Sequence, residues 1–151
     1  MCTSFKAEIM LCVHDFRNTG GDTFKMALYT SAANIDANTT SYTTTSEVTG
    51  TNYTAGGNTL VNGGVTASNT SASAGTGFTT FNNTTWANAT ITARGALIYN
   101  NTPSANGTAN TTLTNAAVAV LDFGADRTST AGDFTVIFPS ATNTTAIIRI
   151  A

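Results

Sequence analysis

The sequence predicts a mainly β protein: an antiparallel β-sandwich or jelly-roll-like barrel with one short N-terminal helix, in a single domain over residues 1–151. Three observations lead there. Short runs of alternating apolar and polar residues recur between polar, Gly-containing connections. Helical spacing of apolar residues stands out near the start, in FKAEIMLCVHDF. Thr and Asn supply about a third of the chain, while only 9% of residues are charged against about 25% in an average soluble domain. Solubility therefore rests on hydroxyls and amides.

Phe5, Ile9, Cys12, Val13 and Phe16 recur at helical spacing, so a helix is predicted over residues 5–16. Ser4 stands where an N-cap is wanted, and Gly20-Gly21 lies beyond the other end. Phe24, Met26 and Leu28 alternate with Lys25, Ala27 and Tyr29, which predicts a strand over Thr23–Tyr29. Residues 31–58 read as loop, with a short extended piece near Glu47-Val48. Leu60–Thr66 reads as a short strand with a bulge or bend at Gly63-Gly64. Residues 67–77 are too poor in apolar side chains to pack a core and are expected to form a long polar loop.

Phe78–Trp86 suggests an edge strand. Thr90–Tyr99 is a clear one, with Ile91, Ala93, Leu97 and Tyr99 on one face, Thr92, Arg94, Ala96 and Ile98 on the other, and an irregularity at Gly95. Residues 100–115 form a second polar loop. Ala116–Pro139 reads as a β-hairpin: strands Val118–Phe123 and Phe134–Phe138 flank an exposed connection bracketed by Gly124 and Gly132. Phe134, Val136 and Phe138 are expected to face Leu121 and Phe123. The closing AIIRIA is a strand, with Ile148 and Ile150 expected to close a sheet.

The formal charge of −2 leaves no basic footprint for nucleic acid, and from Val48 to Leu121 the only ionic side chain is Arg94. A stretch with so little field suits packing against other protein better than steering a charged ligand. No run reaches the length of a membrane span. The apolar Ile9–Val13 is too short for a signal peptide, acidic Glu8 precedes it, and no small-residue cleavage site follows. Synthesis in a reducing cytoplasm is expected, with Cys2 and Cys12 as free thiols.

No candidate site emerges from the residue chemistry. His14 is the only histidine and adjoins Asp15, but adjacency does not orient a nucleophile, and a structural role near the helix C-terminus is expected. Such a place is favourable if the imidazole is protonated. Asp122, Asp126 and Asp133 lack the close alternate spacing and bidentate Glu of a calcium loop. GGNTLVNGG is turn punctuation, without the Lys and helix of a phosphate loop. Ten Asn-x-Ser/Thr sequons, Asn52, Asn69, Asn88 and Asn143 among them, follow from composition. Trp86, if joined by Tyr53 and Tyr99, would offer an aromatic sugar platform, although a single Trp is more often core or interface. Catalytic, cofactor-binding and metal-ligating residues are therefore all expected to be absent.

Taken in order, FKAEIMLCVHDF, DTFKMALYTSAANIDANTTSYTTTSEVTG, YTAGG, WANATITARGALIYN, AVAVLDFGADRTSTAGDFTVIFP and AIIRI resemble a family of small tailed-phage virion structural proteins. The resemblance covers most of the chain outside about residues 62–80 and 100–114. It implies a non-enzymatic particle component and brings no catalytic residue with it. Size, composition and β architecture add the expectation of a capsid decoration (cement) protein. Such a protein would be assembled in the host cytoplasm, bound to the major capsid protein on the virion surface, and a dimer or trimer of itself. A tail, collar or adaptor component, and a carbohydrate-binding β-sandwich, stand as alternatives.

Overall fold

A computed structural model describes residues 1–68, 75–103 and 113–151. Helix α1 spans Thr3–Met10, and seven strands follow: β1 Phe24–Tyr29, β2 Asn58–Thr59, β3 Asn62–Ser68, β4 Thr76–Phe81, β5 Thr84–Asn100, β6 Ala116–Val136 and β7 Ile148–Ile150. They form two antiparallel sheets, β2-β1-β5-β6 and β3-β4-β7. One apolar core joins them, so the predicted mainly β architecture holds, in its sandwich form. The sheets meet where Phe24 of β1 and Phe81 of β4 approach to 5.6 Å between ring centroids, with Phe16 stacked on Phe24 at 4.3 Å.

Strand β5 organises the molecule. It pairs with β1 from Phe24↔Asn100 to Tyr29↔Gly95 and with β6 along almost its whole length. Where its outer half carries the predicted alternation, buried Ile91 and Ala93 alternate with exposed Thr90 and Thr92. From Gly95 to Asn100 every residue is buried, so here both faces of the sheet are covered. One cover is the sandwich core; the other is the long connection from β1 to β2, which stacks Tyr42 on Tyr99 at 4.7 Å.

Several expectations need correction. The helix ends at Met10 rather than at residue 16. Cys12 takes a left-handed φ of 56°, and Val13 returns its amide to the Glu8 carbonyl at 3.0 Å. Val13 and Phe16 are buried as predicted, but as part of an extended return segment. Ser4 is not the N-cap. Cys2 occupies that position without a side-chain cap, and its amide donates to the Val118 carbonyl at 2.9 Å.

The hairpin predicted over Ala116–Pro139 is instead one strand of 21 residues. Its glycines mark departures in register rather than a turn: Gly95 pairs with Asp122, but Ala93 pairs with Arg127, so residues 123–126 form an outward excursion. A second irregularity falls between Ser129 and Gly132, where Ala131 has φ 48°. Backbone pairing does not require apolar side chains, and cross-strand hydroxyl pairs stand in for them. Thr92 meets Thr128 at 2.9 Å and Thr85 meets Thr135 at 2.8 Å. The predicted contact between Phe134 and Phe123 is present at 6.2 Å, although Phe123 is only half-buried.

The edge strand predicted over Phe78–Trp86 is two elements, central β4 and the start of β5, broken at Asn82-Asn83. β3 does carry its bulge, between Asn62 and Val65. The extended piece at Glu47 exists as a single bridge to Tyr29. Of β7, Ile148 is buried while Ile150 is 53% exposed, so only the first closes the core. The predicted loops 67–77 and 100–115 lie in large part outside the described residues; the described ends of the first belong to β3 and β4, whereas residues 101–103 and 113–115 are loop as expected.

Candidate functional site

Burying a carboxylate requires donors to replace water, and the donors to Glu47 all come from its own stretch of chain, residues 42–56. Glu47 is the only ionic side chain between Asp36 and Arg94. Its Oε1 accepts the Tyr53 hydroxyl at 2.7 Å and the Gly56 amide at 2.7 Å, and its Oε2 accepts the Tyr42 hydroxyl at 2.6 Å. Tyr99 donates to the Gly56 carbonyl at 2.9 Å, and Tyr29 donates to the Thr43 carbonyl at 2.6 Å. All four tyrosines of the chain thus hold one stretch, residues 42–56. Desolvation, reinforced by the nearby Glu47 charge, pushes the Tyr29 and Tyr99 hydroxyls up to about 12. The same two causes, with the Glu47 hydrogen bond added, drive Tyr42 and Tyr53 higher still. These phenols remain protonated donors, which suits them to scaffolding rather than proton transfer.

The second buried cluster contains His14, whose side chain is fully enclosed. Asn100 donates its amide to His14 Nδ1 at 3.0 Å and to Asp22 Oδ2 at 2.6 Å, and its carbonyl accepts the Thr102 amide. With Nδ1 accepting, the imidazole proton sits on Nε2, which donates to Glu8 Oε2 at 2.8 Å. Phe5 lies 4.9 Å from the ring, with Phe16 and Phe24 beyond it. Burial lowers the His14 pKa, against the opposing pull of Glu8. The imidazole is therefore neutral and enclosed, and it lies beyond the end of α1 rather than on the helix as expected. Among the described residues no hydroxyl or thiol is hydrogen-bonded to His14. Its sequence neighbour Asp15 is bound instead to Arg17 and, through its backbone amide, to Asp22.

The other candidates are dispersed. Cys12 is exposed and Cys2 buried, both as free thiols, with Cys2 pushed up mainly by desolvation. Asp122 accepts Arg94 and the Gly124 amide, which keeps its carboxyl below the usual range. Asp133 accepts the Asn88 amide, and Asp126 is exposed. Among the described residues no group of three or more His, Cys, Asp or Glu is arranged to hold a metal ion. Trp86 does stack on Tyr53, at 6.0 Å, but it is 3% exposed and packs edge-on against Phe134. Tyr99 pairs with Tyr42 instead, so no exposed platform forms.

Sequence reasoning missed both buried clusters. The signal for the first was a lone acid in a long uncharged stretch of a chain with four tyrosines. The second had none, because Glu8, His14, Asp22 and Asn100 meet only through the fold.

A groove of about 550 Å³ opens to solvent along β6, with Leu121, Phe123, Phe134 and Val136 among its lining residues. Arg127, Asp133 and Ile137 also line it, and Ile137 is 75% exposed. A smaller apolar cleft lies between the end of α1 and the small sheet, lined by Ile9, Phe16, Val65 and Ile150 among others. Among the described residues no helix is long and apolar enough to cross a membrane. Comparison with protein-family models, with curated proteins and with solved structures finds no match to this chain.

Proposed function

We propose that this chain is a structural protein of a tailed-phage particle, a decoration protein that binds the outer face of the major capsid protein shell as a homo-oligomer and stabilises it. One observation carries the reading. The surface offers apolar contact, while both polar clusters are enclosed. Met10, Leu11, Val61, Val65, Ile137 and Ile150 are each more than half exposed, whereas Glu8, Asp22 and Glu47 are buried. Large apolar side chains left in water, on a chain with only 9% charged residues, suit a surface that other protein covers. The resemblance of its sequence words to small virion proteins adds the particle. The burial of Trp86 takes from the carbohydrate-binding alternative the aromatic surface it required.

The test is co-sedimentation of purified protein with empty capsids, together with its location and copy number in images of intact particles. Saturable binding and hundreds of copies on the shell are the expected result. Six to a few dozen copies at the neck or tail would replace the decoration role with the adaptor one. Absence from the particle would overturn both.

A further inference from the structure

The groove along β6 carries both halves of a contact with itself. Its lining includes Leu121, Phe123, Phe134 and Val136, and at its rim Ile137 stands 75% exposed. The groove also carries one cation and one anion, Arg127 and Asp133, each three residues from Thr130 in the sequence. Neither side chain has an ion-pair partner among the described residues; Asp133 accepts the Asn88 amide and Arg127 reaches the Phe123 carbonyl at 3.4 Å. A knob beside a hole, and a plus beside a minus, are what a two-fold axis needs, because each copy then presents to the other the complement of what it receives.

We infer that two copies of this chain pack their β6 grooves face to face, antiparallel about Thr130, with each Ile137 entering the other groove and each Arg127 meeting the second copy's Asp133. This names the surface behind the self-association in the proposed function and rests on that part of the reading. Side chains make the contact, not a continued sheet. The excursion at residues 123–126 and the positive φ of Ala131 interrupt the outer row of backbone groups that an added strand would need. Arg94 already holds Asp122, so Arg127 is the cation left to meet an acid across the groove. The hydroxyls of Thr128, Ser129 and Thr135 complete the wet rim of such an interface.

The symmetry supplies a specific test by analytical ultracentrifugation. Arg127→Asp gives a copy with two anions at these positions, and Asp133→Arg gives one with two cations. Each alone repels itself and should dimerise at least about tenfold more weakly than wild type. An equimolar mixture satisfies both contacts, and a heterodimer of near wild-type affinity is expected. Ile137→Ser, an exposed position that leaves the core intact, should weaken the dimer without the charge change. Circular dichroism checks the fold of every variant.

A wild-type chain that stays monomeric at several hundred micromolar overturns the inference. So does a dimer indifferent to all three substitutions, or a mixture that fails to associate. A glycan or peptide that occupies the groove of a monomeric chain overturns it as well. Capsid binding is scored separately. A monomer that still decorates capsids leaves the proposed function standing without this interface, whereas a charge-dependent dimer that ignores capsids does the reverse.

Discussion

Removing the hydroxyl of Tyr53 should cost more stability than removing that of Tyr42, although both donate to the same carboxylate. Tyr53 Oη both donates to Glu47 Oε1 at 2.7 Å and accepts the Leu28 amide at 2.8 Å. Tyr53→Phe therefore deletes a hydrogen bond to a charged acceptor, worth about 1.5–3 kcal/mol, and leaves the amide of a fully buried strand residue without its partner, about 1–3 kcal/mol more. The expected loss is about 3–5 kcal/mol, a large part of the roughly 5–15 kcal/mol that holds a domain together. Tyr42 makes a single bond, to Glu47 Oε2, from a half-exposed position where water can take its place. Tyr42→Phe should cost only about 1 kcal/mol. Urea unfolding followed by fluorescence reads the difference as a shift in midpoint at constant slope. In a thermal melt, Tyr53→Phe should fall by roughly 10 °C, at about 2–4 °C per kcal/mol for a chain of this size. Equal losses for the two variants, or a loss below about 1 kcal/mol for Tyr53→Phe, would refute the account of Glu47 as a buried clamp held through Tyr53.

Four further outcomes are expected. Phe138, 8% exposed and 5.6 Å from the ring of Phe81, should lose about 3 kcal/mol as Phe138→Ala in the same urea assay. His14 has a lowered pKa in the folded state, so the unfolded chain binds its proton more readily; its contribution is whole above about pH 6.5 and declines as pH falls below that value. His14→Gln should flatten that limb of the stability profile between about pH 5 and 7, and an unchanged slope would contradict the neutral assignment. Gly57→Ala should prevent folding, since a Cβ there would lie 1.8 Å from the Met26 carbonyl oxygen at a φ of 67°. Gly20→Ala, with φ 72° but open space, should cost only about 1 kcal/mol by thermal melt.

Strands with clean alternation were legible from sequence, and β1 and the second half of β5 fall where the pattern placed them. The failure at β6 has a physical cause. Gly, Asp, Ser and Thr are the residues of exposed turns and also those of an exposed, bulged edge strand, and only the 17-residue partner β5 decides between the two. The helix end was hidden for a related reason. Val13 and Phe16 satisfy helical spacing from Ile9 as well as burial from an extended return, and the left-handed turn at Cys12 leaves no compositional mark. The buried clusters depend on residues far apart in sequence, such as His14 and Asn100, which no local pattern relates.

The pairing of β5 with both of its neighbours also sets an order of assembly. β6 follows β5 after a connection of about 15 residues, whereas β1 must find β5 across roughly 70, and β4 must wait about as long for β7. Closing the longer loops costs about 1.4 kcal/mol more in chain entropy. The β5–β6 ribbon is thus the natural nucleus, and the docking of β1, with the residue 42–56 stretch that its Tyr29 helps to hold, is the late step. A chain with so many distant partners should refold over milliseconds to seconds. Until β1 arrives, one long edge of β5 and its apolar faces stand open to neighbouring chains. Crowded synthesis is therefore the stage at which this protein is most exposed to aggregation.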